Sequence, residues 1–208
     1  MELKILIACE ESQTVAAAFR ALGYEAYSCD LQPVSIFGHP EWHIQGDAIT
    51  EAYSGKYTAM IGHPPCPKMS NCSARWMYRG GVLNQERLQD AMKAKEFFMS
   101  LLNAPIPFIA IENPTPLKIV GLPEPTQVIQ PYMFGDPFSK RTLLWLKGFP
   151  QLIHTNVLTE YTPFLQSGGK NAEVSKVRGK SRSKTFEGIA QAMAQQWGGF
   201  LSQIDKAA

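Results

Sequence analysis

The sequence predicts an α/β protein with a doubly wound, mostly parallel sheet and a late antiparallel pair of strands. Three observations predict this fold. Short apolar runs alternate with helical patterns along the chain. Polar residues directly follow five of these runs. Two later runs, QVIQPYMF (127–134) and TLLWLKG (142–148), have little between them. The chain has 208 residues, which is the size of one domain, and we expect a single domain over 1–208.

The strands are predicted from apolar runs that end at polar residues, glycine or proline. KILIAC (4–9) is typical of a buried strand, and YTAMIGH (57–63) stops at Pro64-Pro65. EAYSCD (25–30), a short strand before Gly46 and FIAIEN (108–113) complete the parallel set.

Three helices are predicted from apolar residues that recur at helical spacing. Ser12 is the predicted cap of the first helix, and Gly23 ends it. The longest pattern covers residues 84–103, with Asn84 as its cap. TFEGIAQAMAQQW (185–197) predicts a closing helix.

Polar side chains stand where each predicted strand ends. In doubly wound sheets, ligands bind at the carboxyl ends of the strands. The sequence therefore predicts a site at this edge. Its expected members are Glu10, Glu11, Ser12, Asp30, Asp47, His63, Pro64, Cys66 and Glu112.

Cys66 stands directly after two prolines, in MIGHPPCPKMS (60–70). Each proline fixes its own φ angle and restricts the residue before it, so the loop has few conformers. Such stiffness suits a nucleophile that must meet its target atom accurately. From this loop alone, a turn that holds a small buried cysteine is the more frequent alternative.

Glu112 closes an apolar strand and is followed by Asn-Pro. Burial of a carboxylate is costly unless it is paired or protonated, and carboxylates in such positions often serve as acids or hydrogen-bond anchors. A salt-bridged structural glutamate is the alternative. Together with Cys66, Glu112 would provide a nucleophile and an acid in one pocket.

The net charge of +2 conceals an uneven distribution. Residues 170–184 contain six basic residues and one acid, so this segment carries +5 and the remainder carries −3. This basic loop, within 165–184, predicts contact with a polyanion, with a solvated linker as the alternative. Its contributors are Lys176, Arg178, Lys180, Arg182 and Lys184, besides Lys170.

The remaining composition favours a cytoplasmic protein. The four cysteines lack the spacing of a disulfide framework or of a zinc site, so we predict reduced thiols and no metal. No apolar run reaches the roughly 18 residues of a membrane span. Cys9 and Cys29 are predicted to lie in the core, and three tryptophans are predicted to be packing residues: Trp76, Trp145 and Trp197.

Three segments resemble motifs of the DNA cytosine-5 methyltransferases, in the order of that family. GHPPCPKMS (62–70) is similar to the nucleophile loop, IENP (111–114) to the Glu-Asn-Val motif, and FGDPFSKRTLLWLKG (134–148) to the late arginine motif. The opening ACE…S and the ending FEGIAQAMAQQWG are similar to small phage-type methyltransferases. The resemblance implies a Rossmann-like class I fold that uses S-adenosylmethionine, and by analogy a role in DNA modification against host restriction.

The resemblance also implies a role for each matched residue. Cys66 would attack C6 of cytosine, and Glu112 would hold N3 and the exocyclic amine. Arg141 would help to bind the base or its phosphate. Asp30 would bind the ribose of S-adenosylmethionine, and Asp47 its adenine. The other expected cofactor contacts are Glu10, Glu11, Ser12, His63 and Pro64, and expected DNA contacts besides the basic loop are Lys68, Ser70, Arg75 and Lys140.

The sequence departs from the family pattern at three places. ACEESQ (8–13) has no glycine where the family has a glycine-rich first motif. His63 replaces a glycine, and Pro114 replaces a valine. About 36 residues separate the late strand from the closing helix, where family members that read long sites carry a recognition domain.

Three alternatives to cytosine-C5 methylation of DNA stay open. HPPC faintly resembles the Asp/Asn-Pro-Pro-Tyr loop of enzymes that methylate an exocyclic amine (adenine N6 or cytosine N4). Free cytosine nucleotides as substrates would account for the short recognition segment. A catalytically inactive methyltransferase fold that binds nucleic acid would account for the missing glycines.

Overall fold

One mixed sheet of seven strands organises the chain, in the order β3-β2-β1-β4-β7-β10-β8. The computed structural model describes residues 3–36, 38–164 and 184–207, except for the side chains of residues 72 and 73. The strands, in chain order, are β1 (Lys4–Ala8), β2 (Glu25–Asp30), β3 (His43–Gln45), β4 (Ala59–Gly62), β5 (Tyr78–Arg79), β6 (Val82–Leu83), β7 (Phe108–Pro114), β8 (Gln127–Ile129), β9 (Phe138–Ser139), β10 (Thr142–Lys147) and β11 (Thr162–Pro163).

Five strands run parallel, and β10 runs against its two neighbours. β1 pairs with β2 and β4, β2 with β3, and β4 with β7, all parallel. β10 pairs antiparallel with both β7 and β8. The doubly wound α/β fold with its late antiparallel pair is therefore confirmed, and its strand order is consistent with the Rossmann-like methyltransferase fold.

Helices cover both faces of the sheet. They are α1 (Thr14–Ala21), α2 (Ala48–Ala52), α3 (Gln85–Leu102) and α4 (Glu187–Ala207). Because successive side chains of a strand point to opposite faces, Ile5 and Ile7 of β1 pack towards α1 and α4. Leu6 and Ala8 pack in a second core with α2 and α3. β1 is thus buried on both faces, as its continuous apolar run predicts.

Most predicted elements begin and end close to the expected residues. Asn84 caps α3, because its side-chain oxygen accepts a hydrogen bond from the Arg87 amide at 3.2 Å. The predicted cap Ser12 is wrong. Gln13 is the residue before α1, and Ser12 Oγ lies 3.2 Å from Thr14 Oγ1 instead of binding a backbone amide. The closing helix extends to Ala207, beyond the predicted residue 197.

Two small two-stranded sheets were not predicted. β5 and β6 form an antiparallel hairpin before α3, and β9 pairs parallel with β11. Strands of two residues leave almost no periodic signal in a sequence. The hairpin follows a 3-10 helix, Asn71–Trp76, on the chain segment directly after the Cys66 loop.

No helix in the described ranges combines the length and the apolar character that crossing a membrane requires.

Candidate active site

A cavity of about 310 Å³ opens at the carboxyl ends of β1, β2, β4 and β7. Nine of the predicted site residues line it. They are Glu10, Glu11, Ser12, Asp30, His63, Pro64, Cys66, Glu112 and Lys140. Cys9, Gln32, Pro65, Pro67, Pro114 and Thr185 complete the lining. The topology thus brings together residues that are up to 176 positions apart in the sequence, from Cys9 to Thr185.

The loop between β1 and α1 turns sharply without glycine. Cys9 and Gln13 have φ angles of 62° and 58°, in the left-handed region that non-glycine residues seldom adopt. Buried hydrogen bonds hold this conformation. Gln13 binds the backbone of His39 through both ends of its amide, at 2.6 and 2.9 Å, and donates to Ser28 Oγ at 3.1 Å. The missing glycines are therefore compensated by side-chain contacts.

Glu10 closes the amino end of α1. Its carboxylate accepts hydrogen bonds from the amides of Val15 at 2.7 Å and Ala16 at 3.2 Å. The residue is 4% exposed. Burial raises the pKa of Glu10, although these amides and the nearby charge of His63 act in the opposite direction. Glu10 therefore fixes the wall of the cavity as well as lining it.

The loop that carries Cys66 is held from two sides. Asn113 Nδ2 donates to the carbonyl oxygen of Pro64 at 3.1 Å, and Asn113 is itself buried. The Cys66 carbonyl accepts from the amides of Met69 and Ser70 at 3.1 and 3.0 Å. Cys66 is half-buried and lines the cavity. The stiffness expected from the two prolines is thus reinforced by hydrogen bonds.

Cys9 and Cys29 have inert thiols. Burial, followed by the charge of nearby carboxylates, raises the pKa of each to about 12. A thiol with so high a pKa is almost entirely protonated at neutral pH and is a poor nucleophile. Cys29 is buried as predicted, but Cys9 is partly exposed and lines the cavity. Cys9 and Cys29 are therefore poor candidates for a nucleophile, which leaves Cys66 as the candidate among the three described thiols.

Glu112 pairs with His63 across the floor of the cavity. His63 Nδ1 lies 3.0 Å from Glu112 Oε2, and their side chains are 10% and 11% exposed. Burial opposes ionisation of Glu112, but the hydrogen bond from His63 and the charges of Lys140 and His63 outweigh it and lower its pKa. Burial likewise opposes the charge on His63, but Glu112 and Glu10 raise its pKa. At a pH between the ordinary pKa values of the two groups, about 4.3 and 6.5, the pair is therefore an imidazolium and a carboxylate.

Lys140 and Arg141 lie just before β10 and differ in position. Lys140 lines the cavity, whereas Arg141 is exposed and is not among the lining residues. The charge of Lys140 acts on both Glu112 and His63. The role predicted for Arg141 stays a prediction, and Lys140 is the basic residue of this segment that faces the described site.

Asp30 and Asp47 are separated by the structure. Asp30 lines the cavity at the end of β2, where its Oδ1 accepts from the Gln32 amide at 2.9 Å. Asp47 is exposed, does not line the cavity, and caps α2 by accepting from the Ile49 and Thr50 amides and the Thr50 hydroxyl. Its position before a helix, three residues ahead of Thr50, is a capping signal. The predicted adenine contact of Asp47 stays a prediction.

A wider groove of about 560 Å³ adjoins the cavity, and Cys66 and Pro67 line both. Its other lining residues are Lys68, Trp76, Arg79, Asn84, Glu86, Arg87 and Asp90. Lys68 Nζ lies 2.6 Å from Asp90 Oδ2, and the Arg75 guanidinium stacks 4.8 Å from the Trp76 ring. Cys66 thus stands between a small, mainly acidic cavity and a wider groove whose lining combines three basic residues, two acidic residues and Trp76.

The residues predicted to contact DNA differ in their exposure to solvent. Lys68, Arg75 and Lys184 are exposed. Ser70 is 1% exposed, so its side chain is buried in this structure, and its predicted DNA contact stays a prediction. Four predicted contacts lie outside the described residues: Lys176, Arg178, Lys180 and Arg182.

The tryptophan predictions hold for two residues and fail for one. Trp145 and Trp197 are 2% and 0% exposed. Trp76 is 52% exposed, because the short helix that carries it lies outside the two cores. Sequence reasoning also missed the buried amide of Asn113 and the wall residue Thr185. Asn113 sits in the quoted IENP motif, which was the signal available for it.

Among the residues that the structure describes, we find no group of three or more His, Cys, Asp or Glu side chains that could hold a metal ion.

The fold and site define an α/β protein with a mixed, mostly parallel seven-stranded sheet and a ligand-sized cavity at the strand ends. No family model and no curated protein matches the sequence. Among solved structures, the chain is similar to a candidate DNA modification methyltransferase encoded within an E. coli prophage, with 15% identity and a TM-score of 0.43. The match covers 69% of this chain and 46% of that one, so this chain spans about half the length of that protein. So distant a similarity carries no argument about activity.

Proposed function

We propose that this protein transfers a methyl group from S-adenosylmethionine to C5 of cytosine in DNA, through a covalent bond between Cys66 and the base. The observation that carries the proposal is the shared cavity of Cys66 and Glu112 at neighbouring strand ends. A thiol and a carboxylate on one cavity are what addition to a pyrimidine requires: a nucleophile for C6 and a partner for N3 and the amine.

The lining of the cavity fits S-adenosylmethionine by its charge. Glu11 and Asp30 are partly exposed carboxyl groups on the side formed by β1 and β2, and Ser12 adds a hydroxyl. The cofactor carries a sulfonium and an ammonium group, so an acidic wall attracts it, and Asp30 follows the second strand, where nucleoside hydroxyls are commonly bound. When bound, the cofactor supplies an electrophilic methyl group.

Cys66, Glu112 and Lys140 would each have a separate role in the reaction at the base. The Cys66 thiolate adds to C6, which requires a fixed approach, and the two prolines with the Asn113 hydrogen bond supply it. Glu112 holds N3 and the exocyclic amine. The positive charge of Lys140 on the same cavity offsets negative charge that develops as the adduct forms. Arg141 stays a candidate for the phosphate of the target nucleotide.

The open groove beside Cys66 is suited to the nucleic acid around the target base. A stacked cytosine hides its C6 atom, so the base must leave the duplex, at a cost of a few kcal/mol. Trp76 is exposed beside the groove and can stack on a base, and Arg79 and Lys68 can contact phosphates. Contacts of these types carry little sequence information, so we expect a short or weak sequence preference.

Trapping with DNA that contains 5-fluorocytosine tests the proposal. Fluorine at C5 prevents elimination, so wild-type protein with S-adenosylmethionine should form an adduct that survives denaturation. Peptide mass spectrometry should locate it at Cys66, and Cys66→Ser should form none while retaining its melting temperature. If no adduct forms with duplex DNA, with single-stranded DNA or with the monomeric nucleotide, the proposal is wrong.

Nucleoside mass spectrometry of DNA from expressing cells separates the alternatives. We expect 5-methylcytosine that disappears with Cys66→Ala. N4-methylcytosine or N6-methyladenine that persists in Cys66→Ala would instead indicate amine methylation, which needs no thiol. Glu124→Gln, an exposed change outside the cavity, is a matched control for Glu112→Gln.

A further inference from the structure

His63 occupies a place in the cavity that its own hydrogen bonding does not fully explain. Its Nδ1 is bound to Glu112 at 3.0 Å. Its Nε2 is buried and has no hydrogen-bond partner in the ranges that the structure describes. Buried polar atoms are nearly always satisfied. The side chain is 10% exposed and lines the cavity, and its described hydrogen bond is to Glu112, so Glu112 is the described group through which His63 can act on a ligand.

Three charged groups act on the His63 ring from the elements around it. Glu112 approaches from β7, Glu10 from the loop after β1, and Lys140 from the segment before β10. The two carboxyl groups raise the pKa of His63, whereas burial and Lys140 lower it. The same contact lowers the pKa of Glu112. The resting proton of the pair therefore lies on His63.

An ionised Glu112 cannot by itself serve the proposed reaction. When the Cys66 thiolate forms the S–C6 bond, the C5=C6 electron pair becomes a C4=C5 bond, and the C4=N3 pair moves onto N3. N3 then needs a proton, and a carboxylate with a lowered pKa has none to give. The nearest proton in the described cavity lies on Nδ1 of His63, in contact with the carboxylate oxygen.

Building on the proposed function, we propose that His63 and Glu112 form a two-residue proton relay to the ligand. As Cys66 adds to C6, N3 takes a proton from Glu112, and Glu112 takes the Nδ1 proton of His63, which becomes neutral. The C4=C5 pair then forms the bond to the methyl group, and the C4=N3 bond re-forms with the proton still on N3. The C5 proton leaves to water, its electron pair restores C5=C6, and the S–C6 bond breaks to return the Cys66 thiolate. The N3 proton returns through Glu112 to His63. His63 does not touch the base. It acts through Glu112, as a positioning residue that holds the proton next to the carboxylate.

A glutamine at position 63 separates the relay from a purely structural role. His63→Gln keeps an N–H that can hold Glu112 in place, but it cannot deliver a proton. We expect kcat to fall about 100-fold with KM for DNA nearly unchanged. The wild-type rate should decline as pH rises through the pKa of His63, and this decline should be absent in His63→Gln. An unchanged kcat and pH profile would overturn the relay.

A titration in the resting protein tests the coupling without any methyl transfer. Imidazole NMR signals of the wild type should show His63, assigned by its loss in His63→Gln, titrating above the ordinary histidine pKa of about 6.5. Glu112→Gln should lower the midpoint of His63. A His63 midpoint at or below about 6.5 in the wild type would overturn the relay.

The two experiments distinguish failure of the relay from failure of the proposed function. Absence of the 5-fluorocytosine adduct in the wild type overturns the proposed function and the relay that rests on it. A normal adduct with unaltered kinetics of His63→Gln overturns the relay alone. An adduct, the expected pH profile and the expected titration together support both.

Discussion

The side chain of Asn113 donates a hydrogen bond to the carbonyl oxygen of Pro64 across two neighbouring strand ends, at 3.1 Å. Asn113 is 2% exposed, so water does not compete for this contact. It ties the loop that carries the thiol to the strand that carries the carboxylate. The relative position of Cys66 and Glu112 therefore depends on an amide that is not itself expected to touch a ligand.

Asn113→Ala should loosen the Cys66 loop. The variant loses the hydrogen bond and leaves the Pro64 carbonyl unsatisfied, so the free energy of unfolding should fall by about 1–3 kcal/mol. The yield of the 5-fluorocytosine adduct per unit time should fall as well. Asn103→Ala, an exposed change at the end of α3, is the control. Equal adduct rates in the two variants would show that the contact does not position the thiol.

Stability should depend on pH through the His63–Glu112 pair. The pKa of His63 is raised, so its contribution is complete below its ordinary pKa of about 6.5 and is lost as pH rises through the folded value. The pKa of Glu112 is lowered, so its contribution is complete above about 4.3 and is lost as pH falls through the folded value.

The pair should therefore stabilise the fold most between about pH 4.3 and 6.5. Urea unfolding of the wild type at pH 5.5 and pH 8.5 should show a loss of about 1.4 kcal/mol for each unit by which the pKa of His63 is raised. His63→Gln should lose less over the same interval, and His154→Gln should behave like the wild type. Parallel pH dependence in all three proteins would contradict the ion pair.

Glu10→Ala should destabilise the amino end of α1. The variant removes the acceptor for the Val15 and Ala16 amides, and loss of such a cap costs about 1–2 kcal/mol. Glu10→Gln keeps one acceptor oxygen and should cost less. Thermal unfolding measures both changes. Because Glu10 also raises the pKa of His63, both variants should lower the NMR midpoint of His63.

Lys140 should matter more than Arg141 for chemistry at the base. Lys140→Met removes a positive charge from the cavity, so it should raise the pKa of Glu112 and lower kcat by about tenfold or more. Arg141→Met removes an exposed charge and should mainly weaken DNA binding. A larger kcat effect for Arg141→Met would restore the role that its sequence motif implies.

Trp76→Ala should weaken DNA binding with little effect on the fold. The ring is half-exposed beside the groove, and loss of one stacking contact costs about 1–3 kcal/mol in affinity. Tyr53→Ala, an exposed change on α2's carboxyl end, is the control. Arg79→Gln should instead lower the slope of log affinity against log salt by about one. Fluorescence anisotropy with labelled DNA measures both.

The sheet and the shared cavity could be predicted because they follow from local patterns. Apolar runs that end at polar residues define strands, and parallel strands collect those residues at one edge. Cys66, Glu112 and Asp30 were assigned to the site on this basis, and the structure places all three on one cavity.

What could not be predicted depends on side-chain geometry between distant segments. The His63–Glu112 pair joins residues 49 positions apart, as does the contact between Asn113 and Pro64. Which of Lys140 and Arg141 faces the cavity depends on how the chain enters β10. The hydrogen bonds by which Gln13 holds the glycine-free turn could not be predicted either, because their partner His39 lies on another loop.

The positions of the residues that flank 165–183 have a consequence for how this protein could be enlarged. Phe164, paired through its amide to Ser139, and Thr185, on the wall of the cavity, flank residues 165–183. Thr185 thus lines the cavity, Phe164 binds the residue before Lys140 of the same lining, and both lie outside the seven-stranded sheet. A DNA-recognition domain inserted between these two residues would lie next to the cavity and would leave the pairing of the seven strands unchanged. This junction is therefore the place where we would insert such a domain to change sequence preference.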